Sequence, residues 1–237
     1  LIRSLHTKKG RREQGSYIVE GSKVVDEALL NQAEVVKIFS TNDRLKLSGD
    51  AQCQMVSQKE MASISTLSSP SEVLAVVRIP EIELTSVNLA NSQVIALDDI
   101  KDPGNLGTII RNADWFGIKS IIVSPETVDE FNPKVVQSTM GSLFRVHVYR
   151  TELPTLLLEL KDQGAAVFSA EMSGETSSIL ESHGGPGVLI IGSESHGVSK
   201  EVSSIADKKV SISGMGNAES LNAAVATGIL LYSWTKG

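Results

Sequence analysis

Residues 94–117, VIALDDIKDPGNLGTIIRNADWFG, decide how the chain is read. VIALD is an apolar run of strand length. Asp102, Pro103 and Gly104 interrupt it, and a helical pattern follows over 106–116 carrying one arginine, Arg111. A buried strand that feeds a helix through a glycine-containing turn is the start of a βαβ unit.

The alternation continues downstream. SIIVSP, RVHVYR, AAVFSAE, GVLIIGSE and KKVSIS are candidate strands. Helices are expected around 133–138, over 153–163 and from Glu219 to the end. Alternating elements with almost wholly apolar strands predict a parallel sheet covered on both faces. Upstream lies a smaller α/β set. SKVVDEALL spaces Val24, Val25, Ala28 and Leu29 as a helix, with Ser22 as candidate N-cap. VVKIFS, CQMVS and EVLAVVRIP are strand candidates and SQKEMASIS is another helix. The mixed stretch after Pro80 separates the two sets. The expected organisation is a first domain at 1–80, a linker at 81–92 and a second domain at 93–237.

The chain has 237 residues, 41% hydrophobic and 21% charged, so it can bury a core without cross-links. Cys53 is the single cysteine, which excludes an internal disulfide and a multi-cysteine metal site. His6, His147, His183 and His196 are scattered, and no metal is expected. The chain opens at Leu1, which suggests that an initiator residue or short leader is missing. No secretory core and no membrane-length apolar run is present, so a cytoplasmic protein without membrane association is expected. The net charge is −6, but residues 1–23 carry six bases (Arg3, Lys8, Lys9, Arg11, Arg12, Lys23) against two acids (Glu13, Glu20). That segment is +4 and the remainder −10. It reads either as a solvated, frayed terminus or as a phosphate-binding arm.

In open parallel sheets, ligands bind at the carboxyl ends of the strands. Three stretches collect glycine and polar residues there: KDPGNLG with Gly104 and Gly107, IIGSESHGVS with Gly192 and Gly197, and SISGMGNAESLN with Gly214 and Gly216. Glycine permits positive φ and close backbone approach. A dinucleotide fingerprint is not met, since GNLG lacks the first glycine of G-x-G-x-x-G, and no GK[ST] phosphate loop occurs.

DPGNLGTIIRNADWFG, VLIIGSESHGVS and ISGMGNAESLNAAVATGILLY resemble the three ordered motifs of the SpoU/TrmH-type RNA 2′-O-ribose methyltransferases, within the SPOUT class. The resemblance covers residues 94–234. GSYIVEGSKVVDEAL resembles part of the ribosomal-protein-like RNA-binding domain that many members carry first. This implies an α/β fold: a small N-terminal RNA-binding domain, then a parallel-sheet catalytic domain whose C-terminal segment forms a deep trefoil knot. It implies S-adenosylmethionine as cofactor, held near Ala170, Glu171, Met172, Gly192, Glu194, Ile212, Ser220 and Leu221. It implies Arg111 at the active site. Guanidinium stays protonated, so we assign Arg111 to an RNA phosphate and the developing alkoxide rather than to proton removal. Asn105, Glu194, Ser220 and Asn222 match the remaining polar positions, where they order loops and place the ribose; Glu194 is the candidate proton acceptor.

The resemblance further implies a homodimer through the knotted region, and an RNA substrate met by Arg3, Lys8, Lys9, Arg11, Arg12, Lys23 and Arg111. Ribosomal RNA is favoured over transfer RNA. The rival readings are a non-catalytic RNA-binding assembly factor of the same fold, and a nucleotide-dependent oxidoreductase. His196 is read as structural, and Trp115 and Phe116 as packed. Leu221, Val225, Ile229 and Tyr232 are read as core or subunit interface. Ser213 and Gly214 depart from the family's usual proline and apolar residue, and Ser193 from its common asparagine.

Overall fold

The computed structural model describes residues 2–84 and 89–236. Residues 85–88 of the expected linker, and Leu1 of the basic segment, lie outside the described residues. The chain forms two compact units, Leu1–Glu81 with Asp129–Arg145, and Ile82–Val128 with Val146–Gly237.

The first unit holds a sheet of β1 (Ser16–Glu20), β2 (Val35–Ser40), β3 (Gln54–Met55) and β4 (Val73–Arg78), in the order β1-β4-β2-β3. One face packs Tyr17, Val19, Ile38 and Val73 against Val24 and Val25 of α2 (Ser22–Leu30). The other packs Ile18, Phe39 and Leu74 against Leu5 and against Met61 of α3 (Gln58–Ile64). The basic segment is folded: Lys8–Gln14 is α1, capped by Thr7, and it leads into a wholly buried β1. Ser22 is the first residue of α2 rather than its cap. Gly21 takes the N-cap position at φ 98°, a conformation that a side chain would strain.

Asp129–Arg145 is expected from sequence in the second domain, yet it packs in the first unit. It contains α5 (Pro133–Thr139), whose Val136 joins the same core as Tyr17, and Phe131 lies against the Tyr17 ring at 4.7 Å. Burial of these apolar groups decides the placement.

The second unit is a six-stranded parallel sheet of β5 (Gln93–Asp98), β6 (Ser120–Val123), β7 (His147–Arg150), β8 (Ala166–Thr176), β9 (Gly187–Gly192) and β10 (Lys208–Ser211), ordered β10-β8-β9-β5-β6-β7. Along β5, Val94 and Ala96 belong to a core closed by α6 (Leu153–Asp162) and α8 (Lys200–Ile205). On the opposite face, Phe168 meets Trp234 of α9 (Ala223–Thr235) and His183 of α7 (Ser178–His183) edge-on. α4 (Pro103–Trp115) packs beside α9, and Asn112 donates its amide to the Ala224 carbonyl at 2.9 Å.

Two expected boundaries move. Asp102 accepts from the Asn105 N–H at 2.9 Å and Pro103 takes the first turn, so Gly104 and Gly107 lie inside α4 without positive φ. The last helix begins at Ala223, since Asn222 caps it by accepting from the N–H groups of Ala224 and Val225 at 3.0 and 3.2 Å.

Candidate active site

The strand order reverses around β5, which has β9 on one side and β6 on the other. The three sequence motifs gather at the carboxyl ends of β5, β9 and β10, as expected for a switch point. After β9 the chain makes a tight hairpin. Ser193 and Gly197 exchange backbone hydrogen bonds at 3.1 and 2.8 Å, and Gly197 sits at φ 67°. The hairpin folds directly over Gly192, where a Cβ would stand 2.0 Å from the Gly197 carbonyl carbon. Only glycine fits there. Asp98, buried at the end of β5, accepts from the Ser199 N–H at 2.8 Å and ties the far end of the hairpin to the central strand. No motif marks Asp98 as functional; the available signal is a polar residue closing an otherwise apolar strand.

The hairpin presents Glu194, and there the motifs meet. Asn105, at the start of α4, donates its amide to the Glu194 carboxylate. Asn222 donates its amide to Asn105 Oδ1 at 2.9 Å. Three of the five expected catalytic residues therefore form one hydrogen-bonded chain at the carboxyl ends of the strands, with Glu194 and Asn222 exposed and Asn105 half-buried. Ser220 is close in sequence but makes no hydrogen bond among the described residues. Arg111 lies six residues beyond Asn105, about 9 Å along the helix axis and about 120° away around it. Its guanidinium is exposed and has no partner among the described residues. His196 is held locally, its Nδ1 at 2.9 Å from Ser195 Oγ.

The strands β8 and β9 part near this chain. The β8–β9 ladder runs from Ala166↔Gly187 to Ser169↔Ile190 and stops. β9 continues to Gly192, paired with Asp98. β8 continues to Thr176 paired only with β10, where Glu175 and Thr176 meet Val210 and Ser211. Beyond Ile190, no strand among the described residues lies beside the edge of β9 that faced β8. Ala170 and Met172 on β8, Gly192 on β9, and Ile212 and Leu221 on the segment after β10 belong to the elements that bound this opening. Glu171 differs from its neighbours. Its carboxylate is taken up by Ser169, Ser203 and Lys209. Burial pushes Glu171 up, but the hydrogen bonds from Lys209, Ser203 and Ser169 and the Lys209 charge outweigh it and hold the carboxyl below its ordinary value.

One further expectation changes and another narrows. Trp115 is 85% exposed rather than packed. Leu221, Val225, Ile229 and Tyr232 are exposed, so the stripe is surface rather than core of this chain. Val225, Ile229 and Tyr232 line an open groove of about 400 Å³ with Thr108, Asn112 and Gly228. In the first unit, Arg11 is 3% exposed and donates to Asp129 and to the Leu5 carbonyl. It is committed inward and is not available to a phosphate. Arg3, Lys8, Lys9, Arg12 and Lys23 are exposed, although Arg3 donates to the Ser63 carbonyl at 2.7 Å. Among the described residues there is no cluster of His, Cys, Asp and Glu suited to a metal, and no helix long and apolar enough to cross a membrane.

An open parallel sheet whose carboxyl edge joins three polar motifs defines an open-sheet α/β domain with its site at the switch point. The chain belongs to the SpoU rRNA Methylase family, which it matches over residues 92–232; residues 1–75 match the MRM3-like substrate binding domain. It is 33% identical over 234 residues to the 23S rRNA (guanosine(2553)-2'-O)-methyltransferase RlmP of Bacillus subtilis (strain 168), covering 97% of this chain and 92% of that protein. The AdoMet-bound rRNA methyltransferase from Sinorhizobium meliloti superposes with a TM-score of 0.87 at 30% identity, over 99% of this chain and 92% of that one. The SpoU methyltransferase AviRb from Streptomyces viridochromogenes, in complex with AdoMet, gives 0.84 at 25% identity, over 99% and 96%.

Proposed function

We propose that the protein transfers a methyl group from S-adenosylmethionine to a ribose 2′-hydroxyl of ribosomal RNA. The observation that carries this reading is the Asn222–Asn105–Glu194 chain beside the β8–β9 crevice. The crevice suits the cofactor, with an unpaired strand edge for an adenine and apolar Ile212 and Leu221 near it. Bound there, the cofactor supplies an electrophilic methyl group on a sulfonium.

The chain's own residues do the rest. Asn105 and Asn222 hold Glu194 and orient the ribose, which in-line displacement requires. Glu194 takes the hydroxyl proton. Arg111 clamps an RNA phosphate and stabilises the developing alkoxide. Lys8, Lys9, Arg12 and Lys23 supply backbone phosphate contacts. The apolar helix α9, with its exposed Val225, Ile229 and Tyr232, is the surface through which two copies pair. The segment after β10 forms the C-terminal trefoil knot, and the protein acts in the cytoplasm.

The test is transfer of radiolabel from S-adenosylmethionine to RNA from cells lacking the protein, with wild type and Arg111→Ala side by side. Label in large RNA, recovered as 2′-O-methylribose and dependent on Arg111, is expected. Label in transfer RNA would redirect the substrate. Cofactor binding with no transfer to ribosomal RNA, whether free or in assembling subunits, would overturn the reading in favour of a binding protein.

A further inference from the structure

The departure of β8 from β9 has an anchor. Lys209 pairs with Ser169, yet the next β10 residue, Val210, pairs with Glu175. Residues 170–174 therefore bulge from the ladder. The far end of the bulge is fixed to β10, on the side away from β9, and the near end to β10 and α8. At the far end Gly174 crosses β10 so closely that a Cβ would stand 2.5 Å from the Val210 nitrogen. At the near end stands Glu171, its side chain 20% exposed. Its Oε1 accepts from Ser169 Oγ at 2.9 Å and from Ser203 Oγ at 2.5 Å, and its Oε2 accepts from Lys209 Nζ at 2.8 Å. Those donors lie on β8, α8 and β10, and none is on β9.

We propose that Glu171 is a positioning residue for the cofactor: its carboxylate fastens the β8 bulge to α8 and β10, and so holds open the crevice beside β9. The resemblance alone implies Glu171 as a direct cofactor contact. The geometry points to the other role, since three donors from the chain already occupy the carboxylate. Neighbouring Met172 is left exposed and Ala170 is half-buried. Bulges next to active sites commonly re-aim strands in this way. Charge-assisted hydrogen bonds are the strong ones, so this anchor sets the shape of an otherwise unpaired segment. The inference rests on the methyltransferase reading above.

The experiment is calorimetric titration of S-adenosylmethionine into wild type, Glu171→Gln and Ser203→Ala. It is joined by steady-state kinetics with each substrate varied. In Glu171→Gln the Kd and KM for S-adenosylmethionine rise about tenfold or more, the scale of losing hydrogen bonds to a charged group. The kcat at saturating cofactor and the Kd for RNA stay within about twofold. Ser203→Ala removes one donor, keeps the charge, and weakens cofactor binding by about threefold; it remains readable should Glu171→Gln fold poorly. Unchanged cofactor affinity in both variants overturns the proposal, and so does an equal loss of RNA affinity. Failure of the wild-type protein to bind S-adenosylmethionine would instead overturn the methyltransferase reading itself.

Discussion

Asn222 donates its side-chain amide to Asn105 at 2.9 Å, across 117 residues of chain. The same Asn222 caps α9 through its Oδ1, and the same Asn105 donates to Glu194. One side chain thus fixes the last helix, while its partner fixes the hairpin after β9. This relay joins the three motifs at the carboxyl ends of the strands.

Asn105→Asp replaces the donor that faces Glu194 with a second carboxylate. Like charges at contact distance repel, and Glu194 swings out of place. Single-turnover methyl transfer is expected to fall by about a hundredfold or more, the usual effect of a misplacement of about 1 Å. Asn105→Ala, which only deletes the bond, loses less. Circular dichroism should show both variants folded.

Arg111 is exposed and has no partner among the described residues, so its removal leaves the fold nearly untouched. Arg111→Ala should change stability by no more than about 0.5 kcal/mol while lowering transfer by about a hundredfold or more. Arg111→Lys restores only part of the rate, because a point charge cannot make a bidentate phosphate contact. A thermal melt and an initial-rate assay on the same samples separate the two effects.

Gly192 and Gly197 are the two glycines of one hairpin, and they fail differently. A methyl group at 192 collides with the backbone at 197, with 2.0 Å between the atoms. Gly192→Ala therefore pushes the hairpin off β9, and cofactor binding should be lost in titration. Gly197 has open space but sits at φ 67°. Gly197→Ala costs about 1 kcal/mol of backbone strain, and Gly197→Asn less, with cofactor affinity largely kept.

The basic segment divides in the same manner. Arg11→Ala deletes a buried guanidinium, leaves Asp129 without its partner, and should lower stability by about 3 kcal/mol. The triple change Lys8→Ala, Lys9→Ala, Arg12→Ala removes exposed charge. It should leave the melting temperature alone, weaken RNA binding, and flatten its dependence on salt. Filter binding at several salt concentrations distinguishes the two sets.

Much of this was legible in the residues. The apolar runs of β5, β6 and β9 predict a sheet buried on both faces, and the helix expected over 153–163 is found as α6. Asn105, Glu194 and Asn222 were picked out by motif, although nothing local said that they bond to one another. The inward turn of Arg11 was hidden because its partner Asp129 is 118 residues away, in a segment that packs with the first unit. Trp115 looked like core because hydrophobicity reports a wish for burial and not which surface supplies it. The bulge at 170–174 was invisible, since its anchors on α8 and β10 come later in the chain than the strand they bend.

Asp207 gives the pH dependence. It accepts from Lys161 Nζ and from the Val167 N–H, both at 2.8 Å, and so ties α6 to the start of β8. Burial pushes its carboxyl up, but the hydrogen bonds from Lys161 and Val167 and the Lys161 charge outweigh that and leave it below the ordinary value, as at Glu171. A carboxyl lowered by folding contributes stability that is complete above its unfolded pKa, about 3.9 for aspartate. The contribution is lost as pH falls through the folded value. Asp207→Asn should therefore melt below wild type at pH 7, and the gap should close as pH drops under about 4. Melts at pH 7, 5, 4 and 3 check this. A gap that stays constant over that range would show that the Asp207 charge is not what holds α6 to β8.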